Sequence, residues 1–120
     1  MSAESDAGLR LHTLHWAVRV ALRVGSPLRA KRIADAIGRR LPAYRTLDEA
    51  RGGLRILGAS GACLSRALTI ASRLPGAHVV IAVDPRVSGR LRAHAWVEVD
   101  GVVLDEPPLR GALHEIARLV

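Results

Sequence analysis

The chain of 120 residues contains no phenylalanine, one tyrosine, two tryptophans and one cysteine. With so few aromatic side chains, it lacks the stacking platform on which single-stranded nucleic acids are usually bound. The lone Cys63 excludes an internal disulfide and a zinc site built from several cysteines. No apolar run approaches the roughly 20 residues that a membrane-spanning helix needs. Since no secretory leader is recognisable either, the expected compartment is the reducing cytoplasm.

Lysine is almost absent as well. Of the 18 basic residues 17 are arginine, and the formal net charge is +7. A nucleic-acid-binding domain would carry such an excess as its electrostatic footprint, but a GC-biased coding sequence also enriches arginine at the expense of lysine and phenylalanine. A basic stretch on the second predicted helix is either a solvated face or a dock for an acidic peptide or partner. It consists of Arg29, Lys31, Arg32, Arg39 and Arg40.

Helical periodicity dominates the first part of the chain. Residues 1–8 are small and polar without periodicity, which predicts a disordered terminus. Capping signals precede two of the predicted helices: Ser26 before a first-turn proline, and Thr46 with Glu49 in a capping box. The predicted helices cover residues 9–24, 27–41, 47–57 and 62–73, within a helical region that spans 9–74.

A change of period at His78 predicts a small antiparallel sheet over residues 78–106. The run HVVIAV is β-branched and bounded by turn signals, and a second strand spans residues 91–99. Asp100-Gly101 predicts a type I′ hairpin turn into a third strand, 102–105. Two prolines end that strand, and an amphipathic pattern predicts a C-terminal helix over 108–119. Residues 9–120 are therefore expected to form one domain of the α+β class, with helices packed on a small antiparallel sheet.

The predicted hairpin register brings two catalytic residue types onto one face of the sheet. Side chains alternate along a strand, so His94 and Asp105 become diagonal neighbours, while Glu106 points the other way. Cys63, in the first turn of a helix, lies where the helix dipole favours the thiolate. In this arrangement Cys63 is the nucleophile, His94 the general base and acid, and Asp105 the carboxylate that orients the imidazole. The amide of Cys63 and a donor from the preceding loop would form the oxyanion hole.

Each of these residues has a plainer interpretation. A single cysteine is most often a small buried hydrophobe, and a strand histidine is usually structural. His12 and His15, three residues apart on a helix, suit a metal pair, but the sequence offers no further ligand at the right spacing, so a surface or packing role is favoured. It is the combination, in the order cysteine, histidine, aspartate, that favours catalysis.

The sequence resembles the leader peptidases of lasso peptide biosynthesis, which belong to the transglutaminase-like, papain-related cysteine peptidases. The resemblance rests on Cys63-Leu64 at the start of a helix, on the string AHAWVE at residues 93–98, and on Gly101 and Asp105 after it. It implies a nucleophile helix packed on an antiparallel sheet, and Cys63, His94 and Asp105 as the catalytic triad. Departures at residues 82–84 and at Leu91 concern the substrate groove rather than the triad.

The resemblance also implies a substrate and partners. The substrate is the leader region of a ribosomally made lasso precursor peptide. A separate leader-recognition protein delivers it, and a macrolactam cyclase acts after cleavage; no cofactor and no metal are required. Two other functions remain open at this point: a small basic nucleic-acid-binding domain, and a transglutaminase-like module that binds partners without catalysis.

Overall fold

The computed structural model describes residues 3–58, 63–85, 93–104 and 113–120 of the chain. Four helices precede a four-stranded antiparallel sheet, as the α+β prediction requires. The helices are α1 (Ala3–Val24), α2 (Pro27–Gly38), α3 (Leu47–Leu57) and α4 (Cys63–Ala71), and the strands are β1 (His78–Val83), β2 (Ala93–Val99), β3 (Val102–Val103) and β4 (His114–Leu119). No helix in this part of the chain is both long and apolar enough to cross a bilayer.

The helical layer forms largely where its local signals place it. Ser26 caps α2 by accepting a hydrogen bond from the amide of Arg29, and Thr46 caps α3 by accepting one from the amide of Glu49. The expected disorder over residues 1–8 is wrong for residues 3–8, since α1 already begins at Ala3. Alanine and glutamate at positions 3, 4 and 7 have high helix propensity, which extends the helix beyond its apolar stripe.

The hairpin between β2 and β3 confirms the predicted register. Glu98 pairs with Val103 and Val99 with Val102. The two turn residues both have positive φ, +50° at Asp100 and +80° at Gly101, as a type I′ turn demands. The sheet order is β3-β2-β1-β4, so β2 and β1 are the central strands.

The predicted C-terminal helix is wrong over residues 114–119, which form β4 instead, while 108–112 lie outside the described residues. β4 pairs antiparallel with β1. The register of this pairing shifts between Ile81 and Ala82 of β1. Without β4, the apolar strand β1 would present an open row of amides and carbonyls at the sheet edge. This tertiary pairing outweighs the local helical pattern.

Two apolar clusters cover the two faces of the sheet. The larger joins the inner face to the helices and includes Leu14, Val18, Leu68, Val79 and Val97. The smaller lies on the outer face, where Trp96 packs with Val80 and Ala82. Helix α4 packs chiefly against β2, which brings the start of α4 to the strand that carries the AHAWVE string.

Candidate active site

Cys63 is the first residue of α4, and its sulfur lies against β2. Sγ accepts a hydrogen bond from the backbone N–H of Ala95, with 3.2 Å between nitrogen and sulfur. The cysteine is exposed, whereas the helix that carries it is buried from Ser65 onward over most of its length. The expected position of the thiol in a first helical turn is therefore confirmed, and Cys63 is an exposed residue at the end of an otherwise buried helix.

The Ala95 amide places the sulfur at the edge of the sheet. The Leu104 amide donates to the carbonyl of Val97 at 3.0 Å, so the backbone polar groups of Val97 point toward β3. Polar groups two residues apart on a strand point to the same side, so the N–H of Ala95 also points toward the β3 side of the strand. Sγ takes the place that a carbonyl of a neighbouring strand would otherwise fill.

His94 precedes Ala95 and is half-buried. It pairs with Ala82 of β1, and strand alternation places it on the outer face with Trp96. Within the described residues, no hydrogen bond joins the imidazole to Sγ, whose partner is the Ala95 amide. His94 is therefore the neighbour in sequence of the residue whose amide binds Sγ, and its imidazole lies on the outer face of β2.

Asp105, the third residue of the predicted triad, lies outside the described residues. Leu104, directly before it, is buried and hydrogen-bonded to Val97, which extends the predicted register one residue beyond β3. Glu106, and the loop residues 59–62 considered for the oxyanion hole, lie outside the described residues as well.

The space around the thiol is narrow. A cavity of about 10 Å³ is lined by Cys63, Arg66 and Ala95, together with Leu54, Ala67, Trp96 and Val97, and this volume holds about one water molecule. Arg66, one turn after Cys63, donates from Nη2 to the carbonyl of Leu54 at 3.0 Å and so ties α4 to α3. A much larger cavity, about 630 Å³, lies at the far end of α4 among residues 71–77 and α2, and Cys63 does not line it. We place the site at the thiol because the reactive atom is there.

A buried pair behind the thiol was not predicted from the sequence. His15 Nε2 and Ser65 Oγ lie 2.9 Å apart and join α1 to α4. Burial lowers the pKa of His15, and the charges of Arg19, His12 and Arg66 lower it further. His15 thus has the packing role that was favoured over metal binding. In the described part of the chain, no three histidine, cysteine or acidic side chains cluster as a metal site would require.

Trp96 and Glu98 have structural roles on the outer face of β2. Trp96 is buried, and its Nε1 donates to Glu98 Oε2 at 2.9 Å. The other carboxylate oxygen of Glu98 faces Arg118 of β4 at 3.5 Å, and Arg118 also bonds Glu115 at 2.8 Å. This network connects the outer face of β2 to β4, and it fixes the strand segment that carries His94.

Comparison with protein families finds that residues 5–118 match the transglutaminase-like superfamily. The chain belongs to this superfamily. Comparisons with curated proteins and with solved structures returned no match. The superfamily includes cysteine peptidases and transglutaminases, both of which act through a thiol, and membership therefore directs attention to Cys63.

Proposed function

We propose that this transglutaminase-like protein is a cytoplasmic cysteine peptidase that removes the leader from a ribosomally made lasso precursor peptide. Cys63 is the nucleophile, His94 the general base and acid, and Asp105 the carboxylate that orients the imidazole. A leader-recognition protein presents the precursor, and a macrolactam cyclase takes the product. The family supports the thiol chemistry, and the AHAWVE string after a Cys-Leu helix start supports the substrate class.

One observation carries the proposal: the hydrogen bond from the Ala95 amide to Sγ at the first residue of α4. An N–H donor stabilises a sulfur more when the sulfur is negatively charged, and so does the positive end of a helix dipole. Two independent features of the backbone, the N–H donor and the helix start, therefore meet at the sulfur of an exposed cysteine. A cysteine that only fills space needs neither feature.

The proposed reaction has two steps. In the first, the Cys63 thiolate forms a bond to the carbonyl carbon of the scissile peptide, the C–N bond breaks, and the imidazolium of His94 gives its proton to the leaving amine. In the second, His94 takes a proton from water as its oxygen attacks the thioester, and the C–S bond breaks to release the acid and the thiolate. The Cys63 amide stabilises the oxyanion of each tetrahedral intermediate.

Since His94 starts from the outer face of β2, this mechanism requires its imidazole to turn about the sheet edge toward Sγ. The role of Asp105 in the proposed mechanism is to orient the imidazole.

The decisive experiment is cleavage of the precursor peptide, in the presence of the leader-recognition protein of the same pathway, followed by mass spectrometry. The variants are Cys63→Ala, His94→Ala and Asp105→Asn, with His114→Ala as the matched control, since His114 is an exposed histidine on β4. We expect loss of cleavage by at least about a hundredfold in the first two variants, and unchanged cleavage in the control. Full cleavage by Cys63→Ala would end the proposal.

A partner-binding module without catalysis is the second candidate function. It is favoured by the apolar stripe that α1 exposes, where Leu9, Trp16 and Val24 are 62%, 65% and 78% accessible. Such a module would bind the leader-recognition protein equally well with or without the sulfur. Binding that survives Cys63→Ala, combined with no cleavage by the unsubstituted protein, would favour this role.

A further inference from the structure

The cavity of about 630 Å³ at the far end of α4, called the distal cavity below, plays no part in the proposed reaction. The residues that line it come from 31–43 and 71–77, two ranges that the structure describes throughout. The nine residues of α4 lie between this cavity and Cys63, which corresponds to about 12 Å along the helix axis. A ligand in the distal cavity would therefore bind away from the thiol.

Charge is unevenly distributed in the lining. Lys31 and Asp35 compensate each other, since Nζ and Oδ2 are 2.7 Å apart and only 5% of the lysine side chain is accessible. The other charged residues that line the distal cavity are Arg32, Arg39 and Arg73. Among the described residues of the lining, the single carboxylate is thus already paired, and three arginines remain.

Arg73 is a buried cation with neutral partners. Only 8% of it is accessible, its Nε and Nη2 donate to the carbonyl of Pro42 at 3.1 and 3.0 Å, and its guanidinium lies 4.6 Å from the centre of the Tyr44 ring. Among the described residues, no carboxylate forms an ion pair with it. A buried charge without a counter-ion is costly, and a neutral donor would hold the same carbonyl. An anion in the distal cavity would offset this cost.

Arg32 and Arg39 extend the positive charge along one side of the cavity. Both are exposed, and neither forms an ion pair with a described residue. Arg39 follows the last residue of α2 and complements the helix dipole, but Arg32 lies in the middle of the helix, where a cation gains nothing from it. Seven helical residues span about 10.5 Å, and three residues of an extended peptide span about 10 Å. The spacing suits acidic side chains three residues apart.

The rest of the lining favours a peptide over a nucleic acid. None of the described residues that line the distal cavity is aromatic, so it offers no surface on which bases would stack. Leu41, Leu74 and Pro75 give it apolar surface beside the arginines. Such surface suits the aliphatic parts of a polypeptide.

We propose that the distal cavity binds an acidic segment of another polypeptide chain, whose carboxylates are held by Arg32, Arg39 and Arg73. This inference goes beyond the proposed function, because it requires neither cleavage nor Cys63. It assigns the basic stretch of α2 to a docking site and gives the partner segment its chemistry, which is aspartate or glutamate at about every third position.

The test measures the affinity for a rhodamine-labelled peptide with glutamate at every third position, by fluorescence anisotropy at low salt. We expect the affinity to fall by about fivefold in Arg32→Gln/Arg39→Gln, and the difference to shrink at 0.5 M salt. Arg19→Gln/Arg23→Gln is the matched control, because it removes two exposed charges from α1 that do not line the cavity, and it should bind almost as the unsubstituted protein does. Thermal unfolding verifies that both variants fold.

Equal losses in the two double variants would show attraction by net charge alone and would overturn the docking site, as would a peptide that the unsubstituted protein does not bind. A labelled oligothymidylate of equal charge is the second probe. Tighter binding of this probe than of the peptide, lost in Arg32→Gln/Arg39→Gln, would overturn the inference in favour of a nucleic acid. Cys63→Ala should bind the peptide unchanged, so that failure of the peptidase proposal leaves this inference intact.

Discussion

His15 and Ser65 form a buried hydrogen bond between α1 and α4, with 2.9 Å between Nε2 and Oγ. Only 5% of His15 and 2% of Ser65 is accessible to solvent. Because Ser65 lies two residues after Cys63, this bond fixes the first turns of the helix that carries the proposed nucleophile. It connects an α1 residue to the site although the two segments are far apart in sequence.

The first prediction concerns the stability of the protein in acid. Burial lowers the pKa of His15, so below about pH 6.5 the unfolded chain takes up a proton that the folded chain resists. We therefore expect the free energy of unfolding to be constant above this pH and to fall as the pH is lowered through the pKa of the folded state. Thermal unfolding between pH 7.5 and 5 measures this dependence. His15→Gln should reduce the slope, whereas the exposed His114→Gln should retain it.

The second prediction concerns the buried pair itself. His15→Ala removes a well-packed ring and a hydrogen-bond partner of Ser65, so it should lower the free energy of unfolding by about 1–3 kcal/mol. His12→Ala is the control, because His12 is exposed on the same helix, and it should change the stability by less than about 0.5 kcal/mol. Urea unfolding monitored by circular dichroism gives both values. Equal effects of the two substitutions would contradict the structural role of the bond.

The third prediction tests whether residues 114–119 form a strand or a helix. In β4, Leu119 packs against the main core, while Ile116 is 63% exposed. An amphipathic helix over the same segment would bury Ile116 together with Leu119, because residues three apart share one helix face. In the strand, Leu119→Ala should cost about 1–2 kcal/mol and Ile116→Ala less than about 0.5 kcal/mol. Similar large costs for both substitutions in chemical unfolding would contradict the strand.

The fourth prediction concerns the hairpin turn. Gly101 has a φ of +80°, and a Cβ added there would meet no atom within 4 Å, so its substitution introduces backbone strain alone. Gly101→Ala should destabilise the protein by about 1 kcal/mol. Gly8→Ala also meets no atom, but it lies inside α1 and should stabilise by about 0.5–1 kcal/mol. Thermal unfolding should thus give shifts of opposite sign, and shifts of the same sign would rule out the turn conformation.

The fifth prediction concerns the reactivity of the sulfur. If Cys63 is the proposed nucleophile, it should react with iodoacetamide about tenfold faster than a free small thiol at pH 7. His94→Ala should lower this rate, because the proposed mechanism gives His94 the role of general base. Stopped-time alkylation followed by mass spectrometry provides the rates. A cysteine slower than the free thiol would be a structural one.

Local signals in the sequence predict a large part of this fold. The helix cap formed by Thr46 and the turn formed by Asp100 and Gly101 each involve four residues or fewer. Such local interactions can be recognised from the sequence alone. The α+β class and the hairpin register follow from them and are confirmed. By contrast, residues 114–119 have a helical pattern, and only their pairing with β1, some 35 residues earlier in the chain, makes them a strand.

The site was predictable to the extent that local structure determines it. The first-turn position of Cys63 follows from the helix start, and His94 occupies the expected strand beside the sulfur's partner. The Ala95 amide as a donor to Sγ, and His15 as the partner of Ser65, depend on how separate elements dock, for which the sequence has no local signal. The role of Asp105 stays a prediction.

The short third strand has a practical consequence. The Ala95 amide, next to the described part of β3, is hydrogen-bonded to a reactive atom. Its proton resonance therefore acts as a natural spectroscopic reporter of the chemical state of Cys63. Acylation, alkylation or oxidation at the sulfur should each displace that one signal, and isotope-labelled protein would let turnover be followed at a single backbone position.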